Sequence, residues 1–433
     1  MTKPALQSSS QNTDLQPQRS RYRRIVLGIL SATYAVNYID RQILAILLQP
    51  IKAEFRISDT MLGLLSGPAF ALFYATMGMP IAVLADRRSR KRIVAGSLAL
   101  FSLMTLACAM VTQFWQLLIA RILTGVGEAG TGPASQSLLS DLYPAARRGT
   151  ALAIYAAGVN LGLLVAFLCG GWIAQRWGWR AAFLVASIPG LVLACAVLLL
   201  VREPERVGSP PTSGGSVEAF LYLWRKRSYR CIVLGTGMSA FSGYGVTAFV
   251  PSFLMRSHHL DSAQVGVAFA LILGVGGGLG TYWSGALVDR LSRHDVRWSM
   301  YVPMLAALVS MPFWPVFLLS HSAMLSIAAA VIPLSLSAAF IAPCITTIQA
   351  IAPQHMRSQA AAIQLLIGNL IGLGLGPLAV GAVSDILRPV VGSDSLRYAL
   401  FAGILASLAS IFYYGRAARD LRDDLATDPP KAR

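Results

Sequence analysis

Residues 82–87 read Ala-Val-Leu-Ala-Asp-Arg, and a close copy returns at residues 285–290 as Gly-Ala-Leu-Val-Asp-Arg. Each copy closes an apolar stretch with an acid followed by an arginine, and the copies are 203 residues apart. Further landmarks recur in the same order at offsets of 209 or 210 residues: Pro144 and Arg148 as Pro353 and Arg357, Gly158 and Gly162 as Gly368 and Gly372, and Gly171 as Gly381. The sequence therefore predicts a duplicated unit.

The composition places this unit in a membrane. Hydrophobic residues make up 55% of the 433 residues, charged residues make up 13%, and the mean hydropathy is +0.60. Apolar runs of about twenty residues, enough to cross a hydrocarbon core of roughly 30 Å, recur along the chain. Because they lack the period-2 alternation of barrel strands, we predict an all-α integral membrane protein. Its twelve transmembrane helices are predicted in two six-helix bundles, near residues 25–48, 61–84, 91–111, 114–139, 150–173, 181–201, 231–255, 264–287, 298–318, 323–348, 358–383 and 397–416.

The net charge of +17 follows the rule for membrane topology and does not indicate nucleic-acid binding. With the N-terminus in the cytoplasm, 27 lysines and arginines fall in the tails and cytoplasmic loops, and 7 fall in the opposite loops. An excess of positive charge on the cytoplasmic side orients membrane proteins. Both termini are therefore predicted to be cytoplasmic, and the basic runs at residues 87–92 and 225–227 are interpreted as topology signals that contact membrane lipids.

The predicted domain organisation has five parts. A disordered cytoplasmic tail at residues 1–24 precedes the first bundle at 25–201, and a cytoplasmic tail at 417–433 follows the second bundle at 231–416. The linker at 202–230 contains Val217 to Trp224, which has the composition of an interfacial helix; an ordinary linker is the alternative. Arginine outnumbers lysine 31 to 5 and no glycosylation sequon occurs, which fits a bacterial inner membrane. The five cysteines show no metal-ligand spacing, so no disulfide or metal site is predicted.

Four ionisable residues lie inside the predicted spans of the first half: Asp40, Arg41, Arg121 and Glu128. A charge at membrane depth is costly unless it is paired or wetted, so such residues usually mark a pathway for a solute or a proton. The alternative is that buried ion pairs only hold two helices together. Buried pairs often add little stability compared with apolar packing, so we favour a functional role.

Helical spacing divides these charges into two groups. Tyr34, Asn37, Tyr38 and Arg41 share one face of the first helix, and Arg121 and Glu128 share a stripe of the fourth. Counted from the outer end, Asp40, Arg41 and Arg121 lie roughly 10–12 Å deep and Glu128 roughly 20 Å deep. We therefore predict a contact between Asp40 and Arg121 and assign proton coupling to Glu128, the less compensated acid, with Asp40 as its partner. Arg41 is a candidate for binding an anionic head group or for balancing Asp40, and Arg121, Asn37, Tyr34 and Tyr38 are candidates for substrate binding or charge balance.

Two sets of motifs carry a family resemblance over residues 25 to 416. The loop motif around Asp86 and its second copy around Asp289 resemble the signature of the major facilitator superfamily, and Arg121-x-x-x-Gly125-x-Gly127-Glu128-Ala129 resembles its fourth-helix motif. The first copy departs from the family pattern, with Ala82 and Ser89 where glycine is usual. The resemblance implies that the two loops act as conformational latches, through Asp86, Arg87 and Arg90 in the first copy and Asp289, Arg290 and Arg293 in the second.

Within that superfamily, Asn37-Tyr38-Ile39-Asp40-Arg41 together with Gly127-Glu128-Ala129 is most similar to the Spinster group of sphingolipid and lysophospholipid transporters. The same helix 1 element also resembles organic-anion and sugar-acid symporters. The second half has only milder polar residues inside its spans, which favours an amphipathic substrate with an anionic or zwitterionic head. Such a cavity would be charged on one wall and mostly apolar on the other.

The predicted function is proton-coupled secondary transport of an amphipathic lipid by alternating access. The alternatives are a proton-coupled sugar-acid symporter, a drug efflux antiporter and a non-transporting membrane receptor. We expect no enzymatic activity, no catalytic or metal-ligating residues, and no cofactor apart from the proton gradient. The glycines at 274–280 lack the strand and helix context of a nucleotide loop. The family resemblance further implies a monomer.

Overall fold

A computed structural model describes residues 8–204, 216–353 and 356–426, apart from the side chains of residues 8–20, 79, 82, 86, 145, 216–219 and 426. Throughout this part of the chain the regular structure is helical and no strand occurs. Positions are described in the predicted orientation, in which the outer end of the bundle lies opposite the cytoplasm. The all-α fold class is confirmed.

The N half contains seven helices: α1 (Ser8–Phe55), α2 (Asp59–Ser66), α3 (Pro68–Arg87), α4 (Arg90–Met110), α5 (Phe114–Glu128), α6 (Thr131–Leu142) and α7 (Ala145–Leu200). They make six passes, because α2 with α3, and α5 with α6, each form one interrupted pass, whereas α7 holds two. The two passes of α7 meet at Gly178, whose φ of +83° lies in the left-handed region that favours glycine.

A short helix, α8 (Ser216–Arg225), connects the halves. The C half follows with α9 (Arg227–Ser257), α10 (Ser262–Phe269), the π-helix π1 (Ala270–Gly276), α11 (Gly277–Leu291), α12 (Trp298–Ser310), α13 (Phe313–Leu319), α14 (Ala323–Ser335), α15 (Ile341–Ile351), α16 (Arg357–Gly368), the π-helix π2 (Asn369–Leu375), α17 (Gly376–Val391), a 3-10 turn (Gly392–Asp394) and α18 (Ser395–Ala426). These elements also correspond to six passes.

Seven helical stretches of the described residues are long and apolar enough to cross a bilayer by themselves. The other passes do not meet this criterion of length and hydropathy, or are not counted separately, for identifiable reasons. Polar and ionisable residues lower the hydropathy of α1. The pass of α5 and α6 and the pass of α14 and α15 are each broken into two short helices, and α7 and residues 357–425 each carry two passes in one stretch. A twelve-helix arrangement accounts for all of them.

The helices extend further into both predicted tails than the sequence suggested. Helix α1 begins at Ser8, inside the segment predicted to be disordered, because polar Gln and Arg residues are compatible with a helix. Helix α18 continues to Ala426, since Ala417, Ala418 and Leu421 are buried in the apolar cluster around Tyr229. The predicted interfacial segment corresponds to α8, in which Leu223 is buried in the same cluster.

The repeated glycine pairs occupy equivalent helix crossings in the two halves. A Cβ on Gly158 or Gly162 would meet the backbone oxygens of Ser31 and Ala35 in α1, at 2.6 and 2.5 Å. Gly372 lies equally close to Ala240 in α9, and Gly368 lies near Thr236. Small residues allow helix backbones in membranes to approach closely. The duplicated motif therefore builds the same crossing twice.

The halves meet at the outer end of the bundle. Asp59, at the start of α2, accepts hydrogen bonds from Arg256 of the C half at 2.7 and 2.8 Å and from Lys52 at 2.6 Å. Asp385 accepts the backbone N–H groups of Asp59 and Thr60 at 3.0 and 2.7 Å. At the cytoplasmic end, the ion pairs of Arg90 and of Arg422 each lie within one half. The outer end is thus the closed end in this conformation.

Candidate functional site

The contact predicted between Asp40 and Arg121 is present in the core of the N half. Arg121 Nη1 donates to Asp40 Oδ2 at 2.7 Å, and the two side chains are 2% and 1% exposed. Thr105 in α4 donates its hydroxyl to the other carboxylate oxygen of Asp40. Both oxygens of Asp40 are therefore satisfied by buried donors, whereas Nε of Arg121 is buried without a hydrogen-bond partner among the described residues.

Glu128 is paired with Arg41, a contact that the sequence-based depth estimate did not predict, although it stays less completely compensated than Asp40. Arg41 Nε donates to Glu128 Oε2 at 2.6 Å, so Arg41 balances Glu128 and not Asp40. The depth estimate placed these residues about 8–10 Å apart because it counted Cα positions only. Side chains lean toward the N-terminus of their helix, and α1 and α5 run in opposite directions, so the two side chains lean toward each other.

The Arg41–Glu128 pair is nevertheless incomplete. Glu128 Oε1 is buried and has no hydrogen-bond partner among the described residues, and its side chain is 0% exposed. The side chain of Arg41 is 16% exposed. The carboxylate of Glu128 is therefore fully enclosed, whereas the guanidinium of Arg41 reaches an interior space.

Three aromatic rings surround the guanidinium of Arg41. Its carbon Cζ lies 4.3 Å from the ring centroid of Tyr74, 4.8 Å from that of Phe70 and 5.5 Å from that of Tyr38. A cation over an aromatic ring within about 6 Å is attracted by the ring quadrupole. The sequence analysis selected Tyr38 but missed Phe70 and Tyr74. Their spacing of four residues on the second pass could have indicated them, because it places both rings on one helix face.

The remaining polar residues of the first helix support this site from behind. Asn37 donates its side-chain N–H to the hydroxyl of Thr131, and Thr131 donates to the backbone oxygen of Glu128 at 2.8 Å. Tyr34 stacks on Tyr155 of α7 with ring centroids 4.5 Å apart. The hydrogen bonds of Thr131 hold the break between α5 and α6, at which Glu128 is the last residue of α5.

Two cavities lie beside the charged residues. One of about 40 Å³ is lined by Arg41, Arg121, Gln42, Ser66, Phe70 and Tyr38 together with Tyr244 and Leu373 of the C half. A second, of about 160 Å³, lies between the halves and shares Tyr38, Gln42 and Tyr244 with the first. Its further lining is largely apolar or small, with Val159, Leu163, Leu273, Phe340 and Ile341 among its members. The two guanidinium groups therefore reach an interior space with a mainly apolar extension.

The predicted latch residues lie at the cytoplasmic ends of helices. Arg87, Asp289, Arg290 and Arg293 are exposed, and the side chain of Asp86 lies outside the described residues. Arg90 is 4% exposed and binds Asp141 together with Glu203, at 2.9 Å for the latter. Arg90 thus joins the ends of three passes within the N half, and the latch between the halves stays a prediction.

Comparison with known proteins agrees with this architecture. The family model described as Major Facilitator Superfamily matches residues 30–377, which is most of the chain. The chain belongs to the major facilitator superfamily. Superfamily members named below are transporters or efflux pumps, and the present chain shares their multi-pass membrane fold.

Several relatives are similar over nearly the full length of the chain. An MFS-type efflux pump of Mycolicibacterium smegmatis is 33% identical over 92% of this chain and 93% of its own length. Human protein spinster homolog 1 is 30% identical over 87% of this chain and 75% of its own. The sphingosine-1-phosphate transporter SPNS2 of Danio rerio is 26% identical over 94% of this chain and 86% of its own.

A solved structure supports the same relationship. It is the crystal structure of a bacterial homolog to the human lysosomal transporter Spinster, in an inward-facing and unoccupied conformation. Its TM-score is 0.83 at 29% identity, covering 93% of this chain and 98% of that chain. The Spinster-like character predicted from the motifs around Asp40 and Glu128 is confirmed, and the closed outer end of the present structure fits an inward-facing state.

Proposed function

We propose that this protein is a proton-coupled secondary transporter that moves an amphipathic anion, such as a lysophospholipid or a sphingoid phosphate, by alternating access. The observation that carries the proposal is that one arginine serves two groups. Arg41 binds the enclosed carboxylate of Glu128 and also lines the cavity beside the second guanidinium, Arg121. The protonation of Glu128 therefore decides whether Arg41 is free to bind an anion.

The charge balance of the site favours co-transport of the proton and the anion. With both acids ionised, Asp40 and Glu128 neutralise Arg121 and Arg41, and the site carries no net charge. A proton on Glu128 leaves one positive charge next to the cavity. Two unit charges about 4 Å apart attract by roughly 4 kcal/mol at an effective dielectric of about 20. That attraction is large enough to make binding of the anion depend strongly on the proton.

The shape of the cavity favours a lipid over a sugar acid. Beyond Tyr38, Gln42 and Tyr244, the space between the halves is lined mainly by apolar and small residues. Its further hydroxyl groups are those of Ser239, Thr247 and Ser337, so it offers more apolar surface than partners for a sugar. The relative in Danio rerio is named a sphingosine-1-phosphate transporter. Both observations support a substrate with one anionic head and an apolar tail.

Drug efflux is the second candidate. It is favoured by the relative in Mycolicibacterium smegmatis, which is named an efflux pump and shares 33% of its residues with this chain. A largely apolar cavity also accepts hydrophobic drugs. The two candidates differ in whether the substrate must carry a negative charge for Arg41.

The remaining properties of the proposal follow the charge distribution and the family. We place both termini in the cytoplasm and the protein in a bacterial inner membrane, since the lysines and arginines concentrate on one side. It works as a monomer, surrounded by membrane lipids, with the proton gradient as its only energy source and no cofactor.

An uptake panel in proteoliposomes tests the substrate class. Lysophosphatidylglycerol, a hexuronate and a cationic dye are compared with and without an inward proton gradient. The proposal predicts saturable, gradient-dependent uptake of the lysolipid and little uptake of the other two. Transport of the hexuronate without the lysolipid, or of the dye alone, would replace the lipid by one of the alternatives. A neutral monoacylglycerol is the matched control for the anionic head.

A further inference from the structure

Resting on the proposed function, we propose that Phe70 is a positioning residue that transmits the state of the Arg41–Glu128 pair to the contact between the two halves. Its ring lies against the guanidinium of Arg41, and the residue belongs to an apolar cluster that includes Leu373 of the C half. Phe70 thereby links protonation of the site to opening of the outer end. Nothing in the position of Glu128 alone provides this link, since its side chain is enclosed by the N half.

On the side of the N half, Phe70 faces both arginines. Its ring centroid lies 4.8 Å from Cζ of Arg41 and 5.8 Å from Cζ of Arg121. It also stacks on Tyr74 with ring centroids 5.4 Å apart, and Tyr74 approaches Arg41 at 4.3 Å. Phe70 itself is 2% exposed. A change in the position of Arg41 therefore has to be accommodated by this ring.

On the other side, Phe70 belongs to an apolar cluster that spans the halves. The cluster joins Phe70 and Ala71 of α3 to Leu373 of π2, with Tyr244 of α9 packed against it. A Cβ on Gly67, three residues before Phe70, would meet the backbone oxygen of Gly374 at 2.5 Å. The backbone of the second pass and the π-helix of the C half are thus in direct contact at the level of the charged site.

The sequence sets Phe70 into this position through a glycine. A Cβ on Gly125 would lie 2.7 Å from the backbone oxygen of Phe70. Gly125 lies on the same stripe of α5 as Arg121 and Glu128, so its missing side chain lets α3 approach α5 between the two charged residues. The contact partner in the C half is a π-helix, an element that frequently occurs at functional sites.

The consequence is a mechanical order of events. While Glu128 is ionised, it holds Arg41 against the rings, and the rings pack on Leu373 with the outer end closed. When Glu128 takes up a proton, Arg41 loses its anion and turns toward the cavity. The ring of Phe70 then loses the cation that fixed it, and the contact with Leu373 weakens. Acidification should therefore favour opening of the outer end.

Other titratable or charged groups lie around the ion pairs of Glu128 and Asp40 and have to be considered in such an experiment. From α1 these are Tyr38, Asp40 and Arg41; from the other helices packed around the site they are Tyr74, Cys108, Arg121, Tyr155 and Tyr244. Among them, Asp40 is the second carboxylate, and it is held by Arg121 and Thr105. A Glu128→Gln variant therefore has to accompany the test, to show that the response to pH originates at Glu128.

The test measures the distance between the halves at the outer end by electron spin resonance. Spin labels are attached to cysteines at Thr112 of the N half and Val390 of the C half, both exposed, in reconstituted full-length protein without its native cysteines. Distance distributions are recorded at about pH 8 and about pH 5.5. We expect acid to enrich the longer distances in otherwise unchanged protein and Glu128→Gln to favour them at both values.

Phe70→Leu keeps the volume apolar but removes the ring. We expect it to reduce the acid-induced change by about fivefold or more, within the usual range for coupling between two sites, and Phe70→Tyr to retain the change. Leu373→Ala removes the contact from the opposite half and leaves the rings around Arg41 intact, so it should show the same loss. Because Leu373→Ala changes a residue of the C half and leaves every charged residue and aromatic ring of the N half in place, it carries the test even if Phe70→Leu does not fold.

The outcomes separate this inference from the function on which it rests. An unchanged response to acid in Leu373→Ala and in any folded Phe70→Leu protein would overturn the role of Phe70. A normal response that persists in Glu128→Gln would instead place the proton site elsewhere and remove the basis of both proposals. Loss of the response in both ring and partner variants, together with its recovery in Phe70→Tyr, would establish the link.

Discussion

The two halves of the molecule share a fold but differ in charge at matching positions. In the N half, Gly158 and Gly162 of α7 pack on Ser31 and Ala35 of α1. In the C half, Gly368 of α16 and Gly372 of π2 pack on Thr236 and Ala240 of α9, which follow Ser31 and Ala35 by 205 residues. The same offset carries Asp40 and Arg41 onto Gly245 and Val246. Where the N half has an ion pair network, the C half has small and apolar residues.

The C half replaces charges by weaker polar contacts. Gln364 donates to Thr236 at 3.4 Å, and the hydroxyls of Ser239 and Tyr414 are 3.0 Å apart. Since this half forms the same six-pass bundle without an internal ion pair at the matching positions, the fold does not require the charges. Their presence in the N half therefore indicates function, as the cost of burying charge would otherwise select against them.

The largest effect is expected from breaking one ion pair on its own. Asp40→Asn leaves Arg121 buried without a counter-ion, which should destabilise the protein by about 3–5 kcal/mol and lower its melting temperature in detergent. The double variant Asp40→Leu with Arg121→Met should recover most of that stability but no transport. Gln364→Leu in the C half is the matched control and should cost far less.

This comparison would be broken by two results. If the double variant stayed as unstable as Asp40→Asn, the charges would be needed for folding. If the double variant transported normally, the pair of Asp40 and Arg121 would have no part in charge balance at the site. Thermal unfolding and uptake, measured on the same preparations, distinguish the two.

An intermediate and equal effect is expected at the glycine crossings. Gly162→Val and Gly372→Val both place a side chain against the backbone of a neighbouring helix, which should cost about 1–3 kcal/mol in each half. Gly28→Val, a site with no neighbouring atom within 4 Å, controls for the loss of a glycine from a helix. Unequal losses in melting temperature at the two crossings would contradict a duplicated architecture that uses them in the same way.

The smallest effect is expected at the cytoplasmic ends. Burial raises the pKa of Glu203, but its hydrogen bonds with Ser89, the backbone of Lys91, and Arg90 bring the pKa below its ordinary value. Its stabilising contribution is therefore present above the ordinary pKa of a glutamate and is lost as the pH falls through the lowered value. Glu203→Gln should cost about 1 kcal/mol or less at neutral pH, because the pair is partly exposed.

The matched change in the C half is Asp424→Asn, which weakens the hydrogen bonds from the backbone and hydroxyl of Ser228, at 2.8 and 2.5 Å. Both variants should keep their response to acid at the outer end. A loss of that response in Glu203→Gln would assign part of the pH dependence to the cytoplasmic end and not to Glu128.

The sequence predicted the features that depend on spacing along the chain and on depth within each helix. The twelve passes, the duplicated glycine crossings and the Asp40–Arg121 contact all follow from helical periodicity and depth. The contact between Arg41 and Glu128 was missed because the long side chain of Arg41 bridges a difference in depth that Cα positions alone exaggerate. Phe70 and Tyr74 were missed because an aromatic residue in an apolar span looks like ordinary packing until its neighbours in other helices are known. The π-helix at Leu373 has no signal in the local pattern.

The most direct test of the central claim is the proton dependence of transport in Glu128→Gln. Lysophosphatidylglycerol uptake and internal pH are followed together in proteoliposomes, with Glu54→Gln, an acid at the outer surface, as the matched control. We predict that Glu128→Gln still binds and exchanges the lysolipid but no longer accumulates it with a proton gradient or acidifies the lumen. Glu54→Gln should still accumulate the lysolipid and acidify the lumen. Gradient-driven accumulation that persists in Glu128→Gln would contradict the account.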